Sequence, residues 1–406
     1  MAITKIPIQQ FLQLAKTNLV LDVRSPSEYT HAHIPHAQNL PLFNDDERKI
    51  VGTAYKQQSK QIAIKLGLDF FGLKMRGMVE EVEALITNYE LQIEGSAKLK
   101  DKKNLDSKIT TQPILLHCWR GGMRSAGVAW LLDLYGYKIY TLVGGYKAYR
   151  NWVLQQFEKP YHFKIIGGYT GSGKTLILHQ LAKQSNSTID LEGLANHKGS
   201  ALGALGQAPQ PTQEMYENVL AEALEGNDNR LTDDEQPTTE NRLADDQLPT
   251  TDDRQLTNYN GKPTAPSHLP TANCIYLEDE SQRIGNLQIP MPLWRTMRSS
   301  PVYFFDIPFE ERLNYLTQEY GVQKKDGLVT AIMRIQKRLG GLETKNAINF
   351  LLENNFKESF RILLTYYDKY YLKGLYNREG AKELINTIVA EGVDTNRNVE
   401  LLNKII

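Results

Sequence analysis

A cysteine in a glycine-rich loop is the first feature of this sequence that can do chemistry. In the run LLHCWRGGMRS, Cys118 follows a short apolar, strand-like segment, and five residues separate it from Arg124, which Ser125 follows. The next residues, AGVAWLL, are typical of a buried helix. Backbone NH groups at a helix N-terminus stabilise a thiolate, and an arginine fork binds a tetrahedral anion. The pattern predicts a nucleophilic Cys118 beside Arg124 and Ser125, whereas Arg120 either adds charge to the site or is solvated.

A second loop, GYTGSGKT, has the full spacing of a phosphate-binding loop. It lies between the strand-like run FKII and a helix with one apolar face, which is the context that such a loop requires. Its glycines let backbone NH groups converge on phosphate oxygens, Lys174 adds a positive charge, and Thr175 can reach a magnesium ion. The motif recognises a diphosphate rather than a base, so the ligand need not be ATP, and a requirement for Mg²⁺ is left open. The predicted phosphate-binding residues are Gly168, Gly171, Ser172, Gly173, Lys174 and Thr175.

An acidic cluster follows the next apolar strand of the same domain. Glu278, Asp279 and Glu280 come directly after the run CIYL. Carboxylates at this position can order a metal or a water molecule near the phosphates, as in other phosphate-binding-loop folds. The sequence predicts that role here, with a solvated strand end as the alternative for each carboxylate.

The cysteine loop lies within a pattern that resembles a rhodanese domain. LDVRSPSEY, with HIPHA after it, resembles the opening signature of that domain, and LVGG resembles its closing strand and turn. Rhodanese-like proteins are sulfurtransferases that carry sulfur as a cysteine persulfide. The spacing of five residues to Arg124 is longer than in many single-domain rhodaneses and is similar to that of the related phosphatases, so both activities stay open. A structural ion-pair set is predicted for Asp22, Arg24 and Glu28.

Two further runs extend the resemblance over nearly the whole chain. DLEGLANHKGS and LEDESQRIG resemble sequence blocks of the tRNA 2-selenouridine synthase family, which joins a rhodanese domain to a P-loop domain in this order. The resemblance implies a tRNA carrying wobble 2-thiouridine as the partner, with geranyl diphosphate and selenophosphate as co-substrates. It also identifies further candidate site residues: Glu192, Asn196, His197, Ser200, Glu278, Glu280 and Arg283.

The function that this resemblance implies is a two-step exchange of sulfur for selenium. The nucleoside sulfur attacks the allylic carbon of geranyl diphosphate while Lys174 stabilises the leaving diphosphate, and selenium from selenophosphate then replaces the geranylated sulfur. Cys118 handles the selenium donor, with or without a covalent adduct, and Arg124 holds its phosphate. The alternatives are a rhodanese-type sulfurtransferase or cysteine-dependent phosphatase fused to a P-loop kinase-like module, and a non-catalytic RNA-binding protein.

The patterning predicts an α/β fold in three parts. These are a rhodanese-like domain at 1–158, a P-loop NTPase-like parallel-sheet domain at 159–308 and a helical C-terminal region at 309–406. The strand-like runs are apolar throughout, which is typical of parallel strands buried on both faces. An acidic near-repeat at about 227–266 has too few apolar residues to build a core, and it is predicted to be a disordered insertion.

Charge and cysteine content limit the classes of partner and the cellular compartment that the sequence predicts. The 47 basic and 47 acidic residues balance, but residues 227–257 hold nine acidic residues against three arginines, so the remainder carries a net +6, which permits a nucleic-acid partner. Two cysteines provide no disulfide framework, the N-terminus lacks a signal-like apolar core, and no apolar run approaches the ~18 residues that span a bilayer. The sequence predicts a cytoplasmic protein with no membrane partner, and it identifies neither a metal-ligand set nor an oligomeric state.

The C-terminal tail combines apolar helical stripes with basic and aromatic side chains. Arg334, Lys337 and Arg338 lie opposite one apolar stripe, and four tyrosines follow: Tyr366, Tyr367, Tyr370 and Tyr371. Such residues can hold an RNA backbone and stack bases. Solvated helix faces around a tyrosine-rich core explain the same pattern equally well.

Overall fold

Two parallel β-sheets organise the protein. The computed structural model describes residues 3–94, 112–233 and 274–406. Within these ranges, every pairing between neighbouring strands of the two five-stranded sheets is parallel. The central strands are buried, as their apolar sequences predict. The predicted α/β fold class, with its rhodanese-like domain, P-loop-like sheet domain and helical C-terminal region, is confirmed.

The first sheet has the strand order β1-β5-β4-β2-β3. Its strands are β1 (Thr4–Ile6), β2 (Val20–Asp22), β3 (Gln38–Asn39), β4 (Ile114–His117) and β5 (Ile139–Leu142). The helices of this domain are α1 (Ile8–Ala15), α2 (Pro26–His31), α3 (Asp45–Gln57), α4 (Lys60–Glu94), α5 (Met123–Tyr135) and α6 (Gly145–Gln156). The buried strand β4 lies at the centre of the sheet and ends directly before Cys118, so the cysteine loop occupies the connection from β4 to α5.

The second sheet has the order β12-β11-β6-β8-β7. Its strands are β6 (Phe163–Gly168), β7 (Thr188–Ile189), β8 (Ile275–Glu278), β11 (Val302–Asp306) and β12 (Ile385–Val389), and β9 (Arg283–Ile284) and β10 (Leu287–Gln288) form a separate antiparallel pair. The helices are α7 (Lys174–Lys183), α8 (Leu191–Leu194), α9 (Gln213–Asp233) and α10 (Met291–Arg298). The neighbouring parallel strands β6 and β8 end at the same edge, which brings the phosphate-binding loop beside the acidic cluster.

The C-terminal region contains one strand besides its helices. These helices are α11 (Phe309–Tyr320), α12 (Lys325–Leu339), α13 (Gly341–Leu352), α14 (Phe356–Tyr376), α15 (Ala381–Leu384) and α16 (Thr395–Asn403). The sequence analysis did not predict β12, which pairs with β11 over its whole length and completes the second sheet. Its run INTIV contains polar residues and is only partly buried, because it forms the edge of the sheet, so it lacks the apolar signature of the central strands.

The first residues of the predicted disordered insertion are helical. Residues 227–233 are helical and form the end of α9. Asn227 is buried, and its side-chain amide donates to the carbonyl oxygens of Ala223 and Thr188, so it ties the helix to β7. The rest of the predicted insertion, residues 234–266, lies outside the described residues. In the described ranges no helix combines the length and the apolarity needed to cross a membrane.

Helices α6 and α9 join the two domains. The Tyr146 hydroxyl donates to Glu214 over 2.9 Å and accepts a hydrogen bond from Asn218, also over 2.9 Å. Further along the same interface, the Tyr149 hydroxyl donates to Glu222 over 3.2 Å. Apolar residues of both domains share one buried cluster around these contacts. The two domains therefore pack against each other through a buried interface that includes ionisable side chains.

Glu222 at this interface is expected to make stability depend on pH. Burial raises its pKa to about 7, and the hydrogen bond from Tyr149 only partly opposes that rise. Because the folded protein binds this proton more tightly than the unfolded chain does, stability falls as the pH rises from about 4.5 to about 7, and the loss persists at higher pH. Glu222→Gln is expected to raise the free energy of unfolding by roughly 2–3 kcal/mol at pH 8 and to change it little at pH 4. Urea unfolding of both proteins at pH 4 and pH 8 measures the difference in the free energy of unfolding. An equal difference at the two pH values would contradict a raised pKa of Glu222.

Two candidate active sites

The sulfur of Cys118 lies in a polar cradle at the base of its loop. Its Sγ atom is 3.2 Å from the hydroxyl of Ser125 and accepts the backbone NH of Gly122 over 3.4 Å. Burial alone would raise the pKa of the thiol, but hydrogen bonds from Ser125 and from the backbone NH groups of Arg120 and Gly122 outweigh it and lower the pKa. The geometry therefore favours a thiolate at this position, although the side chain is only 3% exposed.

Glu28 holds the arginine of this loop. Arg124 donates to the two Glu28 carboxylate oxygens over 2.6 and 3.4 Å. An anion that enters the loop must therefore compete with Glu28 for the guanidinium, which the sequence analysis did not foresee. The buried ion pair between Arg24 and Asp22 forms as predicted, but Glu28 is not part of it. The side chain of Arg120 is exposed, and only its backbone contributes to the sulfur cradle.

The turn after β5 supports the cysteine loop. The backbone NH of Tyr146 donates to the carbonyl oxygen of Cys118 over 2.8 Å. Gly145 has a φ of 59°, and a Cβ at this position would lie 2.3 Å from the same carbonyl oxygen and 2.5 Å from the backbone nitrogen of Gly121. Only glycine fits between the turn and the loop, which explains the LVGG run that resembles the rhodanese closing turn.

Gly145→Ala is expected to destabilise the first domain by roughly 2–4 kcal/mol, because it combines a left-handed backbone with a clash against fixed backbone atoms. The urea midpoint of unfolding measures the loss. Gly127→Ala is the matched control: it lies inside α5, where an added Cβ makes only an ordinary contact with Phe71 at 3.8 Å. The control is expected to unfold at or above the wild-type midpoint. A Gly145→Ala protein as stable as this control would contradict the steric account.

The second site is built on the loop between β6 and α7. Gly171 and Gly173 have φ values of 80° and 72°, so the loop needs glycine at both positions. The amine of Lys174 donates to the carbonyl oxygen of Gly168 over 3.2 Å, which keeps the charge over the loop. The Thr175 hydroxyl donates to a Glu192 oxygen over 3.2 Å. The loop thus has the strand–loop–helix arrangement that its sequence predicts.

Side chains of the C-terminal region hold this loop in place. The Tyr371 hydroxyl accepts the backbone NH of Gly168 over 3.0 Å and donates to Asp279 over 2.8 Å. Arg312 donates to the carbonyl oxygen of Thr170 over 3.1 Å. These partners come from α14, α11 and the acidic cluster, so the helical region is part of this second candidate site.

A cavity of about 630 Å³ opens on the phosphate-binding loop. The loop residues from Thr170 to Thr175 line one part of it. Aromatic and apolar side chains from the C-terminal helices line another part: Tyr315, Leu316, Tyr320, Tyr366, Tyr367, Tyr370, Tyr371 and Leu375. Sequence reasoning assigned four of these tyrosines to RNA stacking or to a core, because nothing in the sequence relates the tail to a loop so distant along the chain.

Two carboxylates face each other at the acidic side of the cavity. A Cβ added to Gly199 would lie 2.5 Å from an oxygen of Glu192 and 2.8 Å from an oxygen of Glu280, so both groups converge on this glycine. Burial raises the pKa of Glu192 against the opposing charge of Lys174, and burial together with the charge of Glu192 holds the pKa of Glu280 well above its ordinary value. Burial and mutual repulsion therefore both favour the protonated form of this pair.

The remaining candidate residues divide between this cavity and its surroundings. Ser200 lines the cavity with Glu192 and Glu280. Glu278 is buried behind it, where one oxygen accepts the backbone NH of Leu191 over 3.2 Å. Three others do not line the cavity: Asn196 donates to Pro209, His197 is buried, and Arg283 donates to Gly285. Their roles stay predictions. Among the residues that the structure describes, no group of three or more His, Cys, Asp or Glu side chains is arranged to hold a metal ion.

Comparison with known sequences defines the class as a rhodanese-like domain joined to an AAA domain. The rhodanese-like domain profile matches residues 8–66, and the profile of the tRNA 2-selenouridine synthase AAA domain matches residues 161–240 and 266–387. The chain belongs to the tRNA 2-selenouridine synthase family, and it is an enzyme of this kind.

Three relatives named tRNA 2-selenouridine synthase illustrate the match. The protein from Sulfurovum sp. (strain NBC37-1) is 31% identical over 387 residues, which cover 88% of this chain and 87% of the relative. The protein from Hydrogenovibrio crunogenus is 32% identical, over 87% of this chain and 88% of the relative. The protein from Bdellovibrio bacteriovorus is 29% identical, over 93% of this chain and 94% of the relative. The similarity therefore extends over both domains.

Proposed function

We propose that this protein replaces the sulfur of wobble 2-thiouridine in tRNA by selenium, in two steps at the two sites. The P-loop cavity alkylates the sulfur with geranyl diphosphate, and the Cys118 loop then exchanges the geranylated sulfur for selenium from selenophosphate. The observation that carries the proposal is the lining of the cavity. A phosphate-binding loop and a wall of tyrosine and leucine side chains suit a ligand with a diphosphate head and an apolar chain.

In the first step, the nucleoside sulfur attacks the first carbon of the geranyl chain. A C–S bond forms, the C–O bond to the diphosphate breaks, and the diphosphate leaves with the bonding electrons. Lys174 and the loop NH groups stabilise the charge that develops on the leaving group. The uracil ring also loses its N3 proton, and the pair of Glu192 and Glu280 lies in the cavity as the acceptor.

In the second step, the geranylated sulfur departs as a thiol. Selenium from selenophosphate bonds to C2 of the base, the C–S bond breaks, and water takes up the phosphoryl group as the P–Se bond breaks. The Cys118 loop holds the selenium donor, either as an adduct on the thiolate or as a bound anion. Arg124 binds the phosphate portion after it exchanges its Glu28 partner for the anion.

Mass analysis of nucleosides tests the proposal. tRNA carrying 2-thiouridine is incubated with the protein and with geranyl diphosphate alone, selenophosphate alone, or both. The proposal predicts the geranylated nucleoside in the first case, no new nucleoside in the second and selenouridine in the third. Selenouridine formed without geranyl diphosphate would contradict it. Phosphate release from an aryl phosphate would instead favour the phosphatase, and ATP turnover independent of Cys118 would favour the kinase-like alternative.

A further inference from the structure

The cavity is bordered by an α14 face on which aromatic and basic side chains alternate. Tyr366, Lys369, Tyr370 and Lys373 follow one another at intervals of three, one and three residues, which places them on one side of the helix. Both tyrosines line the cavity, and Tyr370 is 45% exposed. Both lysines are exposed. This face therefore runs from the cavity out to solvent.

Helix α12 adds a second basic face beside the first. Arg334, Lys337 and Arg338 are exposed, on the side opposite the buried face of the helix. Arg338 and Tyr366 both line the cavity, so the two faces meet at its border. No carboxylate in the described part of the chain forms an ion pair with these three side chains or with Lys369 and Lys373 of α14. Five exposed basic side chains thus lie on the same two helices whose residues Arg338, Tyr366 and Tyr370 line the cavity.

We propose that this α12–α14 surface binds the loop of an RNA hairpin and presents one of its bases to the P-loop cavity. The surface comprises Arg334, Lys337, Arg338, Tyr366, Lys369, Tyr370 and Lys373. Cations that contact phosphates, interleaved with rings on which bases stack, are how proteins hold single-stranded nucleic acid. A loop fits better than a duplex, because an unpaired base can turn out of its stack and enter a cavity. The identity of that base, 2-thiouridine, rests on the proposed function; the binding of RNA does not.

The proposed RNA-binding role of the α12–α14 surface is tested with a variant in which three of its basic residues are replaced by glutamine. The probe is a fluorescent RNA hairpin with 2-thiouridine in its loop, titrated by anisotropy at several salt concentrations without geranyl diphosphate. The variant is Arg338→Gln with Lys369→Gln and Lys373→Gln. Its affinity is expected to fall at least ~10-fold near physiological salt, and the slope of log affinity against log salt is expected to fall by roughly two, since each single-strand phosphate contact contributes about 0.7.

The matched control removes the same charge from the first domain. Lys56→Gln with Lys60→Gln and Lys65→Gln changes three exposed lysines on α3 and α4. This control is expected to bind RNA with the wild-type affinity and salt slope. Wild-type binding by the α12–α14 variant, or an equal loss in both triple variants, would overturn the proposal.

Substitution of Tyr370 separates stacking from charge. Tyr370→Leu removes the aromatic face and is expected to weaken binding roughly 5- to 100-fold, whereas Tyr370→Phe keeps the ring and is expected to bind like the wild type. Equal binding by the two variants would contradict stacking at this position. A wild-type protein that binds the hairpin but fails to alkylate it with geranyl diphosphate would refute the proposed function and leave the RNA surface supported.

Discussion

Lys174→Ala is expected to form neither the geranylated nor the selenated nucleoside from 2-thiouridine tRNA, geranyl diphosphate and selenophosphate. Lys174 supplies the fixed positive charge over the phosphate-binding loop. Without it, the negative charge that develops on the leaving diphosphate loses its cationic partner inside the cavity. Loss of one such transition-state contact lowers the rate by about 10²–10³-fold. The initial rate of formation of the geranylated nucleoside, followed by mass analysis, measures the effect.

The control for this prediction lies on the same helix. Lys183 is exposed in the last turn of α7 and does not line the cavity, so Lys183→Ala is expected to retain the wild-type rate. Binding of geranyl diphosphate by the two variants, measured by calorimetry, distinguishes lost affinity from lost catalysis. Geranylation at the wild-type rate by Lys174→Ala would show that the loop does not hold the reacting diphosphate.

Cys118→Ala is expected to stop the reaction at the geranylated nucleoside. The Sγ atom of Cys118 accepts the Gly122 NH and contacts the Ser125 hydroxyl, and the variant leaves these groups without the sulfur that handles the selenium donor. The P-loop cavity contains no part of this loop, so geranylation is expected to proceed normally. Selenouridine formation is expected to fall by at least ~100-fold. Quantification of both nucleosides from one digest measures the two steps together.

The chain contains one other cysteine, which provides the control. Cys274 directly precedes β8 and does not line the cavity. Cys274→Ala is expected to form selenouridine at the wild-type rate. Because Cys118 is buried, a urea unfolding curve must show that the Cys118→Ala protein remains folded. Selenouridine at the wild-type rate from a folded Cys118→Ala protein would remove the cysteine from the mechanism.

Local sequence patterns sufficed for the central strands and the two loops. The apolar runs that predict parallel strands form β4, β6 and β8, and the glycines of the phosphate-binding loop have the left-handed φ values that the motif requires. These features are determined by residues that are close together along the chain, so they can be recognised from the sequence alone. The same holds for the buried ion pair of Asp22 and Arg24, two residues apart.

The contacts that complete both sites depend on tertiary structure and could not be predicted. Glu28 reaches Arg124 across almost a hundred residues, and Tyr371 reaches Gly168 across about two hundred. Neither tyrosine spacing nor charge pattern distinguishes a ring that lines a cavity from one that packs in a core. The edge strand β12 was missed for a related reason: its pairing with β11, rather than its own sequence, defines it as a strand.

The packing also relates the two sites to each other. The backbone of Tyr146 holds the cysteine loop, and its side chain contacts α9 of the second domain through Glu214 and Asn218. One residue at the start of α6 therefore touches both the first site and the domain that carries the second. This connection suits an enzyme in which one nucleoside is processed at each site in turn.

The most direct test of successive steps at separate sites starts from the intermediate. An RNA hairpin that already carries S-geranyl-2-thiouridine is incubated with selenophosphate and either the Lys174→Ala or the Cys118→Ala protein, and the nucleosides are analysed by mass. The account predicts selenouridine at close to the wild-type rate with Lys174→Ala and unchanged geranylated nucleoside with Cys118→Ala. Failure of Lys174→Ala to convert the intermediate, or conversion by Cys118→Ala, would contradict it.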